Sequence, residues 1–261
     1  MRIIKTSELF EMGIVFNSFN VSSPAPVHYR EKIDGRNGFV DMGTTYDGRV
    51  IDARITILPV DRQDYALLRN EVFSLFDSRE PFYLQHDEKG KRWLVKYNSP
   101  FSFNRSGSVG QTPIQFISSN SFSESIGTTL DEKTFEVDLW QFGQGLDLDE
   151  TDYIQTTNTF AIYNAGEKID PRELPLKIYF KGASDGLTIT NNTNGTEWMY
   201  NATSSANDEI LLDGIYSYKN GQSIFRDTNY KSIELEKDWN EFSVSGASNF
   251  EIKFEFRFYS L

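Results

Sequence analysis

Strict alternation of apolar and polar residues marks the end of the chain, where residues 252–259 read Ile-Lys-Phe-Glu-Phe-Arg-Phe-Tyr. Side chains alternate between the two faces of a strand, so this pattern predicts a strand with one buried and one solvated face. Two further strands are predicted at 160–163 and 176–180. Turn signals recur along this half of the chain at Asn164–Gly166, Lys181–Gly186, Asn191–Gly195, Asp213–Gly214 and Asn220–Gly221. This density of turns predicts an antiparallel sandwich or barrel.

The first half combines strands with one helix. The segment 50–58 alternates and is stopped by Pro59, and a helix is predicted from Asp61 to about Asp77. Asp61 can cap the exposed amides of the first turn, where Asp64 adds favourable negative charge. The predicted apolar face of the helix consists of Tyr65, Leu68, Val72, Leu75 and Phe76. Further strands are predicted at 93–97, 114–117 and 134–140.

Two stretches do not fit a compact domain. Residues 22–48 are rich in Pro, Gly and charge, and residues 98–111 are rich in Ser, Asn, Gly and Phe. Long irregular segments of this kind are usually functional or disordered. Both retain aromatic residues, namely Tyr29, Phe39, Tyr46, Phe101 and Phe103. A solvated loop has little use for such side chains, so we predict arms or hairpins that become ordered against a neighbouring subunit.

The first half combines strands with a helix, whereas the second half is almost entirely β, and this difference predicts two domains. Residues 143–150 read Gly-Gln-Gly-Leu-Asp-Leu-Asp-Glu, a glycine-containing acidic run that is typical of a linker. We therefore predict a first domain at 1–142, a linker at 143–151 and a second domain at 152–261. With 261 residues, the chain is long enough for each domain to bury its own core.

Composition excludes several classes of function. The formal net charge is −12 and no basic run is present, which argues against nucleic-acid binding, although DNA could slide past such a surface without sticking to it. There is no Cys, so disulfides and thiolate metal sites are excluded. Neither a signal peptide nor a membrane span is apparent, and we expect a soluble protein made in a cytoplasm.

No catalytic or cofactor-binding constellation emerges from the sequence. Its two histidines, His28 and His86, occupy unrelated segments. The acidic residues at 147, 149 and 152 lack the Gly and the downstream Glu of a calcium loop, and residues 107–110 lack the Lys-Ser/Thr of a phosphate loop. We therefore expect no enzyme, no metal and no cofactor.

Trp198 and Tyr200, like Tyr216 and Tyr218, are spaced two residues apart, so the members of each pair share one face of a strand. Such a face either packs in the core, which is the interpretation that we favour, or forms a platform for stacking sugars. Trp198 and Tyr200 are the candidate glycan contacts.

The order of motifs in the second half resembles the C-terminal region of siphophage distal tail proteins, also called the phage tail family. The matching segments are Tyr-Asn-Ala-Gly-Glu at 163–167 with Pro171 and Leu-Pro-Leu-Lys-Ile at 174–178, Gly-Leu-Thr-Ile-Thr-Asn at 186–191, Glu-Ile-Leu-Leu-Asp at 209–213 and the closing Phe-rich strand. Trp-Asn-Glu-Phe at 239–242 stands where the family usually has Pro-Gly-Asn before a strand. The first half matches more loosely, through Arg-Ile-Thr-Ile at 54–57, the helix, the strand at 93–97 and the segment at 114–125.

The resemblance implies a mainly β fold: an N-terminal tail-tube-like β-barrel or sandwich with one helix, and a C-terminal galectin-like or carbohydrate-module-like β-sandwich. It implies a structural protein of the virion that forms a homo-hexameric ring at the viral tail tip, in the baseplate. The ring would join the tail tube protein to the tail-tip hub protein and the receptor-binding protein that mediates host attachment. Genome DNA would pass through the lumen without specific binding, and no membrane would be involved. A cell-wall glycan-binding module, acting through the C-terminal sandwich, is the alternative function.

The independent observations are compatible with such a ring. The aromatic residues of the two irregular stretches suit a contact between subunits, since head-to-tail contacts close into a ring when the rotation permits it. Six copies at −12 give −72, and part of that charge facing the lumen would repel phosphates.

Overall fold

The computed structural model describes residues 1–86, 90–132 and 152–261. It divides into two compact units, Met1–Ser123 and Glu124–Ser260. The predicted linker at 143–151 and the predicted strand at 134–140 lie outside the described residues. Residues 124–132 group with the second unit, whereas we expected the first domain to extend to residue 142; the boundary itself stays a prediction.

The first unit is built around one sheet and one substantial helix. Its elements are β1 (Ile3–Lys5), α1 (Thr6–Leu9), a 3-10 turn (Phe10–Met12), β2 (Ile14–Val21), β3 (Pro26–Glu31), β4 (Val40–Tyr46), β5 (Arg49–Ile57), α2 (Arg62–Leu75), β6 (Phe82–Gln85), β7 (Lys91–Tyr97), β8 (Asn104–Ser106) and β9 (Val109–Ser118). The strand order is β1-β6-β7-β9-β5-β2, with β8 on β9 and a parallel pairing between β1 and β6. β3 and β4 form a separate two-stranded sheet.

The alternation along β5 explains the core of this unit. Ile51, Ala53, Ile55 and Ile57 are buried, and the residues between the first three are more exposed. Helix α2 contributes to the same hydrophobic core through Tyr65, Leu68 and Val72. Asp61 caps the helix as predicted, because its carboxylate accepts the backbone N–H groups of Gln63 and Asp64 at 2.8 Å each. The four-residue helix α1 was not predicted, since it is too short to show a helical period.

The second unit is a sandwich of two sheets. After β10 (Ser123–Ser125), which begins at the unit boundary, its strands are β11 (Ile154–Gln155), β12 (Thr159–Asn164), β13 (Leu176–Lys181), β14 (Ser184–Asn191), β15 (Thr196–Ser204), β16 (Glu209–Asp213), β17 (Tyr216–Lys219), β18 (Gln222–Ser223), β19 (Asp238–Ala247), β20 (Glu251–Phe256) and β21 (Tyr259–Ser260). One sheet has the order β11-β20-β13-β16-β17-β18 and the other β12-β19-β14-β15. A 3-10 turn at Phe225–Asp227 follows β18.

Aromatic rings join the two sheets of the sandwich. Phe242 on β19 lies 4.9 Å from Phe254 on β20, measured between ring centroids, and stacks on Phe160 of β12 at 5.6 Å. In β20, Ile252, Phe254 and Phe256 are buried while the residues between them are partly exposed, as the alternation predicts. The regular strand ends at Phe256, however, and Tyr259 begins the short strand β21. The mainly β fold expected from the sequence is confirmed.

The turn predicted at Asn220–Gly221 is present in the structure. Asn220 and Gly221 join β17 to β18 with φ angles of 50° and 79°. A two-residue hairpin of type I′ requires positive φ at both positions, which Asn-Gly adopts most readily.

No helix within the described ranges is long and apolar enough to cross a membrane.

Candidate interaction surfaces

The hairpin β3–β4 of the first unit carries several exposed apolar side chains. No residue of either strand is buried, and Tyr29, Phe39 and Tyr46 are 51%, 52% and 50% exposed. Val27 and Met42 on the same hairpin are also exposed. The structure thus brings together three of the five residues predicted to form a subunit interface.

Side-chain contacts across the hairpin order these groups. A hydrogen bond of 2.8 Å joins the Nδ1 of His28 to the hydroxyl of Thr44, and the Thr45 hydroxyl donates to the Tyr29 hydroxyl at 3.3 Å. The Arg30 guanidinium lies 4.8 Å from the ring centroid of Phe39. The residues predicted from the irregular stretch 22–48 therefore lie on a formed hairpin.

Phe101 and Phe103 have a different environment. Both are partly buried against the core of the first unit, with ring centroids 5.4 Å and 6.2 Å from that of Phe73 on helix α2. Phe101 also contacts Tyr97 edge-on at 6.0 Å. These two rings therefore pack on the core of their own unit, and neither belongs to the hairpin β3–β4. Their part in a subunit interface stays a prediction.

Trp198 and Tyr200 are buried in the sandwich, as the favoured core interpretation predicts, which corrects the alternative that they contact a glycan. Their exposed fractions are 1% and 2%, and the indole N–H of Trp198 donates to the Ser217 hydroxyl at 3.1 Å. A sugar ring could not stack on either side chain without opening the core. Period-2 spacing correctly placed them on one face, and that face is the buried one.

A cleft of about 610 Å³ lies elsewhere on the second unit. Its apolar lining comes from Ile215, Tyr216, Phe225 and Tyr230, all of which are exposed. Tyr216 opens β17, Phe225 lies on the 3-10 turn and Tyr230 on the irregular segment before β19. Sequence reasoning considered Tyr216 as a platform but missed Phe225 and Tyr230, because three separate chain segments bring these rings together.

Asparagine side chains hold residues 228–237, the irregular segment before β19 that forms one wall of the cleft. The side-chain amides of Asn191 and Asn194 donate to the carbonyl oxygen of Glu234 at 2.8 Å and 3.1 Å. Asn229 bonds to strand β15 in both directions: its amide donates to the Glu197 carbonyl, and its side-chain oxygen accepts the Met199 N–H, each at 3.2 Å. The wall is therefore fixed to the sheet although it has little regular structure.

Ion pairs join the same segment to Lys168 and Arg172. Lys168 lies 2.8 Å from a carboxylate oxygen of Glu234 and 2.9 Å from one of Glu236, and its hydrogen bonds to these two groups, Glu234 foremost, raise the pKa of the lysine. Arg172 binds Asp170 through two guanidinium nitrogens and reaches Glu234 at 3.4 Å. The hydrogen bonds from Arg172 lower the pKa of the Asp170 carboxyl. Arg172 is thereby held at the edge of the cleft.

The histidines do not form a shared site in the structure. The Nδ1 of His86 lies 2.8 Å from the Thr6 hydroxyl, and its ring stacks on Phe19 at 4.6 Å, whereas His28 lies on the hairpin β3–β4. Across residues 1–86, 90–132 and 152–261, no group of three or more His, Asp or Glu side chains is placed to hold a metal ion. Asp147 and Asp149 lie outside the described residues.

Comparison with known proteins agrees with these observations. The family described as the phage tail protein RIFT-related domain matches residues 4–118. The Dit protein (gp 19.1) of phage SPP1, described as a paradigm of the hub adsorption apparatus of phages that infect Gram-positive bacteria, is similar in structure with a TM-score of 0.69. The two are 12% identical, and the match covers 95% of each chain.

A chain of the activated baseplate of phage P2 with Ca is 9% identical and has a TM-score of 0.45; the match covers 94% of the present chain and 90% of the baseplate chain. No curated protein sequence matches the chain. Residues 4–118 are therefore similar in sequence to the phage tail protein RIFT-related domain, and along nearly its whole length the chain has the fold of the SPP1 Dit protein, as its sequence motifs predict.

Proposed function

We propose that this protein is a structural adaptor of a siphophage tail tip. Six copies form a ring that joins the tail tube protein to the tip hub and the receptor-binding protein, and the ring has no enzymatic activity. The observation that carries the proposal is the likeness to SPP1 Dit over 95% of both chains, together with the phage tail domain at 4–118. A fold can host different functions, so assembly itself has to be measured.

The hairpin β3–β4 is the part of the first unit that we assign to ring closure. Its aromatic side chains are half-exposed, and apolar surface of this kind on a chain that assembles typically becomes buried in a contact. Head-to-tail contact between one hairpin and the next subunit closes when the rotation per subunit is one sixth of a turn.

Light scattering on a sizing column, with negative-stain images of the main peak, tests this proposal. Six protomers of 30.0 kDa give a mass of about 180 kDa, and the images should show rings. Tyr29→Ser combined with Tyr46→Ser should shift the mass towards the monomer, whereas Trp239→Ser, which changes an exposed aromatic residue of the second unit, should not. A monomer near 30 kDa at every concentration would contradict ring closure by this chain alone.

DNA passage follows from the same proposal. With a net charge of −12 on each chain, an acidic lumen would repel the phosphate backbone and let the genome slide through. Electron cryomicroscopy of the ring should show carboxylates on the channel wall. A neutral or basic wall would contradict this part of the proposal.

A further inference from the structure

The cleft of the second unit presents aromatic rings that the fold does not bury. Tyr216 and Tyr230 are 59% and 63% exposed, although buried aromatic rings form the core of the same sandwich. Phe225 packs edge-on against Tyr230 with ring centroids 5.1 Å apart, and Ile215 extends the apolar surface. Small-molecule sites are typically concave and lined by such rings, with a few polar groups among them.

Tyr230 is held in a conformation that tyrosine disfavours. Its φ is +60°, whereas the other three non-glycine residues with positive φ in the described ranges are Asn220, Asp238 and Asn249. Asn and Asp tolerate this region, but a bulky side chain there is an outlier. The Thr228 hydroxyl accepts the Tyr230 N–H at 3.3 Å and helps to keep the turn. Strain of this kind persists where the surroundings impose it, and it clusters at ligand sites.

The polar groups at the cleft indicate the charge of its ligand. Arg172 and Lys231 supply two positive charges, and Glu197 and Glu234 supply two negative charges. Their sum is zero, so the site does not select a strongly charged ligand. The carboxylates can accept hydrogen bonds from hydroxyl groups, and the cations can donate to hydroxyl oxygens. A polyhydroxylated, uncharged molecule with apolar faces satisfies both the rings and the rim.

We propose that this cleft binds a neutral oligosaccharide. The C–H faces of its pyranose rings lie on Tyr216 and Tyr230, and its hydroxyl groups bond to Arg172, Glu197 and Glu234. This site is distinct from the buried Trp198–Tyr200 pair. It adds a binding function to the proposed adaptor and does not depend on ring formation, which the mass measurement tests separately.

Saturation-transfer difference NMR on the full-length protein tests the site. The probes are neutral tetrasaccharides of glucose, galactose, rhamnose and N-acetylglucosamine, with tetragalacturonate as an anionic counter-probe. Two variants each remove one of the aromatic rings on which a sugar would stack: Tyr216→Ser and Tyr230→Asn. Asparagine adopts a positive φ more readily than tyrosine, so Tyr230→Asn should preserve the fold. Trp239→Ser is the matched control, because Trp239 is an exposed aromatic residue of the same unit that does not line the cleft.

We expect at least one neutral probe to receive saturation from aromatic protons. Each platform variant should weaken its binding about tenfold or more while thermal unfolding stays unchanged or, for Tyr230→Asn, moves upward. The Trp239→Ser variant should bind like the parent protein. The proposal is overturned if no neutral probe binds, if tetragalacturonate alone binds, or if both platform variants bind as tightly as the parent.

Discussion

The side-chain amide of Asn191 donates to the side-chain oxygen of Asn240 at 2.9 Å, and neither residue is exposed. Asn191 ends β14 and Asn240 lies on β19, so the bond crosses between two strands of one sheet. The Asn240 oxygen also accepts the Glu236 N–H at 2.8 Å, while its amide donates to the Glu236 carbonyl at 2.9 Å. This buried polar pair fixes the irregular segment that precedes β19.

Replacing Asn240 with Ala should lower the free energy of unfolding by about 2–3 kcal/mol, because it leaves buried hydrogen-bonding groups without partners. Chemical denaturation measures the loss. Asn201→Ala, at an exposed position of β15, is the matched control and should change stability by no more than about 0.5 kcal/mol. Equal losses in the two variants would show that the buried pair contributes nothing specific.

Gly166 should tolerate no side chain. A Cβ built there would lie 2.5 Å from the backbone nitrogen and 2.6 Å from the carbonyl oxygen of Tyr259. Backbone atoms cannot move aside cheaply, so Gly166→Ala should cost about 2 kcal/mol or more. At Gly195 the added carbon meets nothing within 4 Å, but φ is +73°. Gly195→Ala should therefore cost only the conformational strain, about 1 kcal/mol. Thermal unfolding of the two variants gives the order, and a reversed order would refute the steric explanation.

The contribution of the Asp61 cap to the free energy of unfolding should be measurable by itself. Asp61→Ala removes the acceptor for the N–H groups of Gln63 and Asp64, and it should destabilise the protein by about 1 kcal/mol. Asp61→Asn keeps an acceptor oxygen and should retain most of that stability. Urea denaturation separates the two variants; if Asn were as harmful as Ala, charge and not hydrogen bonding would dominate this cap.

Tyr179 should make stability fall at alkaline pH. Burial, and then its 2.6 Å hydrogen bond to Glu255, raise the pKa of the Tyr179 hydroxyl above its usual value. A pKa that is higher in the folded state means that the stabilisation is complete below about pH 10, the pKa in the unfolded chain, and is lost as pH rises above it.

Tyr179→Phe should remove this dependence. Between about pH 9 and pH 11, the free energy of unfolding of the parent should decline more steeply than that of the variant. Denaturation series at several pH values give the two slopes. Parallel slopes would mean that Tyr179 ionises equally easily in the folded and the unfolded protein.

Periodicity predicted the regular strands because apolar and polar residues alternate along consecutive positions, as in β5 and β20. It could place Trp198 and Tyr200 on one face, but it could not say which face is buried, since both solvent and core accept aromatic side chains. Asn191 and Asn240 gave no sign of burial, because asparagine is usually exposed and only tertiary hydrogen bonds justify its place in a core. Likewise, Phe225 and Tyr230 meet Tyr216 only through the fold. The hairpin β3–β4 was concealed by Pro, Gly and charged residues, and its aromatic side chains were the sole signal.

The exposure of the hairpin β3–β4 has a consequence for the timing of assembly. A two-stranded ribbon without a buried face is at best marginally stable in water. In the free chain, amides of residues 26–46 should exchange with solvent almost as fast as in an unfolded peptide, and they should become protected when a neighbour covers them. In the proposed ring, docking would then include a folding step, which would give association a large negative heat-capacity change. Folding of the hairpin and contact with the neighbouring subunit would therefore occur in one step in that ring, so the aromatic side chains of residues 26–46 would become covered as the hairpin becomes stable.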